Sequence, residues 1–263
     1  MTVGRSRRVL VTGAAGLIGS VLRSRLANDF DLLGLDTARA TGVTIVADLA
    51  KGGRRARRAF AAQDAVIDLA ADSRVGAPWD RVLRNNLAAT INVFEAARDA
   101  GVKRVVFASS NHAVGLYERE EPYARIVRGD YEGLDHAAIP LLTSEHPVRP
   151  DSPYGVGKAF GEALGRYYSE EFGLSVICLR IGTCNRVDRP EDAREFATLL
   201  SHADLVRLVE CCLQAPASVR YAVYFGVSDN TWRFWDLEPA RDQIGYEPRD
   251  DAERWRMSAP AQG

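Results

Sequence analysis

The stretch that decides the fold of this chain is Val9-Leu10-Val11-Thr12-Gly13-Ala14-Ala15-Gly16-Leu17-Ile18-Gly19. It predicts a short buried strand, a glycine turn and a helix whose apolar face continues to Leu26. In such a unit Gly13 permits the tight turn, Gly16 lets the backbone approach a diphosphate, and Gly19 lets the helix pack closely on the strand. The amide groups and positive end of the helix then face the phosphates, so the stretch predicts a dinucleotide site.

An acid at the end of the second predicted strand, Asp31–Asp36, bears on the choice of cofactor. A carboxylate at Asp36 would accept hydrogen bonds from the ribose hydroxyls of the adenosine and would repel a 2′-phosphate, so NAD is favoured over NADP. Arg39 lies close enough in sequence to weaken this preference. A third predicted strand, Val43–Leu49, carries Asp48 where its carboxylate could meet the adenine.

Strand-like and helix-like segments alternate over most of the chain. Further strands are predicted at residues 65–70, 105–108, 174–180 and 221–225, and helices at residues 79–100, 152–172 and 203–213. Such alternation predicts parallel strands joined by helical crossovers. The expected fold class is α/β: a Rossmann-type doubly wound parallel sheet with a small C-terminal substrate-binding cap.

The composition excludes several classes of partner. The chain has 263 residues, enough for one large α/β domain with a well-buried core. Its 34 basic and 35 acidic residues nearly cancel, so neither nucleic acid nor a membrane is expected as a partner, and the basic run Arg54–Arg58 is interpreted as a solvated helix face. The four cysteines lack metal-ligand spacing, so no metal site is expected and a reduced, cytoplasmic setting fits. The apolar segment before Gly13 is too short for a secretory signal or a membrane span.

Tyr154 and Lys158 lie four residues apart at the apparent start of a helix, in the segment Pro150–Lys158, so both rise on the same face. A free tyrosine has a pKa of about 10 and is a poor base at neutral pH, but a cation beside it favours the phenolate. The pair could therefore take a proton from an alcohol. Alone, this spacing is a weak signal, because a surface tyrosine and lysine one helical turn apart commonly just pack together.

Two serines follow neighbouring predicted strands at the edge of the sheet where ligands bind in doubly wound folds. Ser110 would reach the oxygen of the reacting carbon from the side opposite the tyrosine helix. Ser73 is a candidate substrate contact, or alternatively the cap of the following helix. In that helix Asn85 and Asn86, which are poor helix formers, require a hydrogen-bonding reason. A nucleotide loop, a serine at a central strand end and then tyrosine with lysine is the order that an alcohol dehydrogenase site needs.

These features together resemble the extended short-chain dehydrogenase/reductase superfamily over roughly the whole chain. The motifs that carry this resemblance are Thr12-Gly13-x-x-Gly16-x-x-Gly19, Asp36, the segment Asn86–Asn92, Ser110 and Tyr154-x-x-x-Lys158. The segments that resemble bacterial uronate dehydrogenases are Phe107–Val114, Tyr154–Gly161, Arg180–Cys184, Ser201–Asp204 and Trp232–Trp235. The segments that are similar to haloarchaeal NAD-dependent glucose-6-phosphate dehydrogenases are Ala77–Asn86, Asn111–Gly115, Glu210–Cys212 and Val227–Asn230.

The resemblance implies roles for individual residues. Tyr154 would be the general base, Lys158 would support it and hold the nicotinamide ribose, and Ser110 would orient the anomeric hydroxyl. The residues expected to contact NAD are Gly13, Ala15, Gly16, Leu17, Ile18, Gly19, Asp36, Asp48, Leu49, Ala70, Asn86, Lys158 and Ile181. The residues expected to contact the substrate are Ser73, Ser110, Asn111, His112, Tyr154, Thr183 and Arg194. The superfamily also implies a dimer formed through the helices at residues 79–100 and 152–172.

Arg194 matches the arginine with which the uronate family grips the acidic end of the sugar. Its planar fork suits a carboxylate and a phosphate equally, so it does not decide between a uronate and a sugar phosphate. Arg186 and Arg189 lie near it in sequence and are interpreted as surface residues. The polar insertion at residues 116–149 is expected to form a partly ordered flap over the substrate. The haloarchaeal relatives are also long there, which supports the sugar phosphate.

The chain is therefore expected to be a single domain over residues 1–263, with an insertion at 116–149 and a small cap from about residue 183. The tail Trp232–Trp255 is too apolar for a linker and too short to hold a nucleotide sugar comfortably. The predicted function is NAD-dependent oxidation of C1 of a hexuronic acid, glucuronate or galacturonate, to the aldarolactone. The alternatives are a glucose-6-phosphate dehydrogenase, a nucleotide-sugar epimerase and a redox-silent binding protein of the same fold.

Overall fold

The computed structural model describes residues 7–256. Its strands are β1 Arg8–Thr12, β2 Asp31–Asp36, β3 Ile45–Val46, β4 Ala65–Asp68, β5 Arg104–Ser110, β6 Ser175–Ile181 and β7 Tyr221–Gly226. In this part of the chain they form one parallel sheet in the order β3-β2-β1-β4-β5-β6-β7. The chain builds outward from β1 in both directions, which confirms the predicted doubly wound α/β sheet.

Helices cross from one strand to the next. They are α1 Leu17–Leu26, α2 Arg54–Arg58, α3 Trp79–Val82, α4 Ala89–Asp99, α5 Tyr123–Arg128, α6 Pro153–Phe172, α7 Glu195–Thr198, α8 His202–Gln214, α9 Glu238–Ile244 and α10 Glu253–Arg256. Short 3₁₀ turns lie at Leu49–Lys51, Asn111–Ala113, Gly115–Arg119 and His136–Ala138. A π-helical segment, Leu83–Ala88, joins α3 to α4, so the helix predicted at residues 79–100 is continuous but locally widened.

The two faces of the sheet bury separate apolar clusters. Val9 and Val11 of β1 pack with α1 and α8, whereas Leu10 packs on the opposite face with α4 and α6. Successive strand residues point to opposite faces, so the run Val9-Leu10-Val11 serves both clusters at once. On the outer surface, all four arginines of α2 are exposed while Ala56 is buried, as expected for a solvated helix face.

A third apolar cluster joins the insertion at residues 116–149 to the C-terminal tail. Its buried members are Val114, Tyr117, Tyr123, Ile126, Ile139, Leu142, Ala197, Phe225, Val227, Phe234, Trp235 and Leu237. Leu142 donates its amide to Phe234 O at 2.8 Å and accepts from the amide of Asp236 at 2.9 Å. Apolar residues scattered among the charges of the insertion therefore make it a packed layer with the tail rather than a loose loop. We call the insertion and residues 232–256 together the cap, which differs from the predicted C-terminal cap in including the insertion and omitting residues 183–231.

Several element boundaries differ from those predicted. β3 has only two residues, because Asp48 accepts a hydrogen bond from Ala50 N at 3.0 Å and begins the turn Leu49–Lys51. β5 runs to Ser110, two residues further than expected. α6 begins where Ser152 Oγ accepts a hydrogen bond from Gly155 N at 3.1 Å. No helix within residues 7–256 has the length and apolar character needed to cross a bilayer.

Candidate active site

The glycine loop between β1 and α1 has the close backbone contacts that the sequence predicts. Gly13 has a φ of +61°, and a Cβ at this position would lie 2.8 Å from the carbonyl of Leu69. A Cβ at Gly19 would lie 2.6 Å from Gly13 O, so α1 packs directly on the turn. Gly16 is the N-cap of the ten-residue α1, whose first turn faces a large cavity. Side chains at Gly13 or Gly19 would separate the helix from the sheet.

This cavity, of about 880 Å³, runs across the carboxyl ends of β2, β1, β4, β5 and β6. The predicted residues that line it are Gly13, Gly16, Leu17, Ile18, Gly19, Asp36, Asp48, Leu49, Ala70, Ser73, Ser110, Asn111, His112, Tyr154, Lys158, Ile181, Thr183 and Arg194. The fold thus brings nearly all of the predicted site residues to one space at the edge where ligands bind in doubly wound sheets.

Asn86 does not line the cavity, and its expected contact with the cofactor stays a prediction. Its side chain is buried, with Oδ1 accepting from Asp72 N at 2.9 Å and Nδ2 donating to Asp72 O at 3.1 Å. Both ends of the amide are used to hold the loop that leads to Ser73, and Asn85 lines the cavity in its place. The hydrogen bonds that explain Asn86 within this helix therefore hold the backbone of Asp72.

Ala15 is likewise absent from the cavity wall. Its amide donates to Asp36 Oδ2 at 2.9 Å, while Asp36 Oδ1 accepts from Ala38 N at 2.9 Å. These bonds anchor the Asp36 carboxylate between the glycine loop and the end of β2. A carboxylate has about four acceptor sites, so it can still receive ribose hydroxyls.

The predicted catalytic residues come from β5 and α6. Lys158 is buried and its Nζ donates to Ala108 O at 2.6 Å, lying 5.5 Å from the centroid of the Tyr154 ring. Ser110 Oγ accepts from His112 N at 3.2 Å and lies 3.2 Å from Asn111 Oδ1. The strand carbonyl therefore fixes the ammonium beside the phenol, and the serine hydroxyl lies at the end of the same strand.

Asp151 contacts the site residue His112, and the sequence predicts no role for it. His112 Nδ1 lies 2.7 Å from Asp151 Oδ2, and the His112 ring meets the Tyr154 ring edge-on at 5.9 Å. Burial acts to raise the pKa of Asp151, but its bond to His112 and the His112 charge outweigh this and hold the pKa below the ordinary value. An ionised Asp151 only accepts, so His112 Nδ1 must carry a proton and Nε2 is the nitrogen that can meet a ligand.

Arg194 lines the cavity as predicted, but its guanidinium is already engaged. Its Nε and Nη2 donate to the two oxygens of Glu118 at 2.6 and 2.7 Å. Glu118 lies 76 positions earlier, in the insertion, and no local pattern points to this pair. Arg186 and Arg189 are exposed and are not in the cavity wall, as the sequence predicted.

A second charged group borders Ser73. Asp72 Oδ2 accepts from Arg74 Nη2 at 2.6 Å and lies 3.2 Å from Arg81 Nε, and all three side chains line the cavity. Its bond to Arg74 holds the pKa of Asp72 below the ordinary value, so this carboxylate is ionised at neutral pH. Ser73 does not cap the following helix, since the N-cap of α3 is Pro78.

Comparison with known proteins places this site in a family. Residues 9–185 match the family described as the NAD dependent epimerase/dehydratase family. The chain belongs to this family. Residues 9–185 contain the glycine loop, Asp36, Ser110, Tyr154 and Lys158, so the match covers these parts of the site and ends before Arg194. Membership confirms the predicted fold, and the family description confirms NAD as the cofactor.

Several known proteins resemble nearly the whole chain. The NAD-dependent glucose-6-phosphate dehydrogenase of Haloferax volcanii is 38% identical, with 93% of this chain and 94% of the relative covered. The uronate dehydrogenase of Pseudomonas putida is 34% identical, covering 100% of this chain and 91% of the relative. The crystal structure of uronate dehydrogenase from Agrobacterium tumefaciens has a TM-score of 0.80 and 32% identity, covering 98% of this chain and 91% of that one. Both predicted resemblances are thus confirmed.

The family's cofactor fits the residues present. The amide-rich N-terminus of α1 suits a diphosphate, and Asp36 is held at the wall of the same cavity. Asp48 and Leu49 line the cavity next to it, where an adenine would lie beyond the ribose. Lys158 and Ile181 lie further along the cavity, on the side of β5 and β6, where the nicotinamide end would reach.

Proposed function

We propose that this protein oxidises C1 of a hexuronic acid, glucuronate or galacturonate, to the aldarolactone with NAD. The observation that carries the proposal is one cavity that joins the dinucleotide loop to Ser110, Tyr154 and Lys158, with Arg194 in the same wall. The uronate dehydrogenase relatives cover the full length of the chain, which supports the same substrate class.

The residues of the chain divide the reaction between them. NAD, when bound, supplies the hydride acceptor. Tyr154, with Lys158 beside it, accepts the proton of the C1 hydroxyl while Ser110 holds the same oxygen. The C1–H bond breaks with its electron pair leaving to the acceptor, and C1 becomes the carbonyl carbon of a lactone. The released proton is then on Tyr154 Oη.

Other residues orient the sugar. Asp151 holds the His112 ring at Nδ1, so Nε2 and the neighbouring Asn111 side chain are placed to meet ring hydroxyls. Thr183 lines the cavity between β6 and Arg194, and its hydroxyl lies 3.4 Å from Arg194 Nη1. A sugar with C1 at Tyr154 would thus place its acidic end at Thr183 and Arg194.

A sugar phosphate is the second candidate, because the Haloferax volcanii glucose-6-phosphate dehydrogenase is 38% identical to the chain. The charges near Arg194 disfavour it. Arg186 and Arg189, the cations that would help to hold a dianion, are exposed and are absent from the cavity wall, whereas the Glu118 carboxylate lies beside Arg194. A monocarboxylate meets less repulsion in such a site than a phosphate.

A substrate panel at fixed NAD tests the proposal. Glucuronate, galacturonate, glucose and glucose 6-phosphate are supplied separately, and formation of reduced nicotinamide is followed by absorbance. We expect the highest kcat/KM for a uronate. If glucose 6-phosphate alone were oxidised, the assignment of a uronate as the substrate would be wrong, while the proposed oxidation at C1 would stand. An absence of any net NADH with all four sugars, together with interconversion of a nucleotide sugar, would point to an epimerase.

We also propose that the chain forms a homodimer and works in the cytoplasm. Apolar side chains that are 38–54% exposed lie along the helices expected to form the dimer, namely Trp79, Leu83, Ile91, Val156, Tyr167 and Phe172. Apolar residues on adjoining helices are typical of a four-helix contact between subunits. All four cysteines are free, which fits a reducing compartment.

A further inference from the structure

Glu118 forms an ion pair with Arg194, the arginine that the substrate is expected to contact. It accepts from Arg194 Nε at 2.6 Å and from Nη2 at 2.7 Å, which is the full bidentate edge of the guanidinium. The two side chains are only 27% and 14% exposed for Arg194 and Glu118 respectively. Water is therefore largely excluded from the pair. The interaction between its two charges is stronger than that of an exposed surface pair.

The charges around Arg194 are predominantly acidic. Burial acts to lower the pKa of Arg194, but the hydrogen bonds and charge of Glu118, with the charges of Asp192 and Asp151, outweigh it and raise the pKa above its ordinary value. The guanidinium nitrogen of Arg194 that does not contact Glu118, Nη1, lies 3.4 Å from Thr183 Oγ1. A ligand reaching this end of the cavity thus meets an arginine whose positive charge is already balanced.

Three kinds of sugar end would meet this pair differently. An uncharged hydroxyl can accept from Nη1 with the Arg194–Glu118 pair intact. A carboxylate must either bind beside Glu118 or displace it, and displacement leaves a poorly solvated carboxylate without its partner. A phosphate dianion meets the same obstacle with twice the charge. The penalty rises with the negative charge of the sugar.

We propose that Glu118 is a specificity-determining residue that sets the charge preference of the sugar site: at the sugar end remote from C1 it admits the single charge of a uronate carboxylate more readily than the double charge of a phosphate. This rests on the proposed function in one respect, the placement of C1 at Tyr154 and of the remote end at Arg194. The insertion that supplies Glu118 thereby acts on substrate choice through one side chain.

The test compares binding of glucose, glucuronate and glucose 6-phosphate to the NADH-loaded enzyme, by calorimetric titration of the wild type and of Glu118→Gln. These sugars share one ring configuration and differ in charge at C6. We expect Glu118→Gln to strengthen the binding of glucuronate relative to that of glucose by at least about tenfold. The binding of glucose 6-phosphate should strengthen by more, since like-charge contacts in such sites cost several kcal/mol. Dissociation-constant ratios that stay within about twofold of the wild-type values would overturn the proposal.

Glu121→Gln is the matched control. It makes the same charge change three residues away, where Glu121 lies 3.6 Å from Arg128 and both side chains are more than half exposed. It should leave the ratios unchanged, and an equal shift in this variant would overturn the proposal by showing a general charge effect. If Glu118→Gln does not fold, Glu118→Asp keeps the charge but shortens the side chain by one methylene and so holds Arg194 less closely, and a smaller shift in the same direction is expected.

Binding and turnover separate the two proposals. If the ratios shift but no sugar is oxidised, the charge filter stands and the proposed reaction fails. If a sugar is oxidised at C1 but the ratios do not move, the reaction stands and the role of Glu118 fails.

Discussion

At the scale of single residues, the proposed reaction depends on one proton acceptor. The Tyr154 ring lies largely buried beside Lys158, whose ammonium is fixed by the carbonyl of Ala108 at 2.6 Å. This carbonyl bond keeps the cation from swinging to solvent, so the phenol and the ammonium remain one helical turn apart at the cavity. The chemistry therefore concentrates on one oxygen atom, while neighbouring groups position it.

Tyr154→Phe removes that oxygen and leaves the ring. We expect kcat to fall by about 10²–10⁴-fold, the usual contribution of general acid–base catalysis, with little change in melting temperature. Steady-state kinetics on the best sugar of the panel, with a thermal melt alongside, measure both.

Tyr167→Phe is the matched control, since Tyr167 lies on the same helix and is 53% exposed. It should keep wild-type kcat. A Tyr154→Phe enzyme with a kcat near that of wild type would refute the assignment of Tyr154 as the base.

At the scale of elements, α6 is tied to the two strands beneath it by a buried ionic network. Glu162 accepts from Ser109 Oγ of β5 at 2.6 Å and from Arg180 Nε and Nη2 of β6 at 2.9 and 2.8 Å. Glu162 and Arg180 are 4% and 2% exposed. This network lies on the helix that carries Tyr154 and next to Ser110, so it fixes the distance between the two halves of the site.

Glu162→Ala should destabilise the protein by about 3–5 kcal/mol, because it leaves the Arg180 guanidinium buried without a counter-charge. Denaturant unfolding followed by circular dichroism measures the free energy of unfolding. Glu170→Ala, on the same helix, removes a carboxylate that pairs with Arg166 while both side chains are more than half exposed, and should change stability little. Equal losses in the two variants would show that the buried network has no special role.

At the scale of the whole molecule, two features lie outside the sheet and its site: the cap and an exposed apolar surface on the helices. The cap buries Phe234 and Trp235 almost completely, and its residue Glu118 contacts Arg194, which lines the cavity. The position of Glu118 depends on this packing, since the adjacent Tyr117 belongs to the same cluster. The exposed apolar side chains of α3 to α4 and of α6 form the apolar surface, which is the proposed dimer contact.

Leu83→Glu places a charge in the proposed dimer contact at a side chain that is 54% exposed. Analytical ultracentrifugation should show two chains of 28.9 kDa associated in the wild type and a single chain in the variant. Val187→Glu, at a 46% exposed position in the loop after β6, should remain dimeric. A wild-type protein that sediments as a monomer would refute the contact.

The sequence alone predicted the parallel sheet and the glycine loop, and it singled out Ser110, Tyr154 and Lys158 as candidate catalytic residues. These features depend on short-range patterns: glycine spacing between β1 and α1, an acid ending β2, a serine ending β5, and Tyr154 one turn before Lys158 on a helix. Each needs only the periodicity of a strand or a helix and the rule that carboxyl ends of parallel strands meet at one edge. Local spacing was sufficient because all of these groups lie at the ends of regular elements.

Only the tertiary structure decided which polar groups face the cavity and which are already paired. The contact of Asp151 with His112 spans 39 positions and that of Glu118 with Arg194 spans 76, through an irregular insertion whose path no periodic pattern describes. The resemblance implied a cofactor contact for Asn86, and only the structure shows that its amide, in the widened segment Leu83–Ala88, bonds to the backbone of Asp72. Side-chain pairing across distant segments depends on how the whole chain packs, and here that packing determines the charge that a sugar meets.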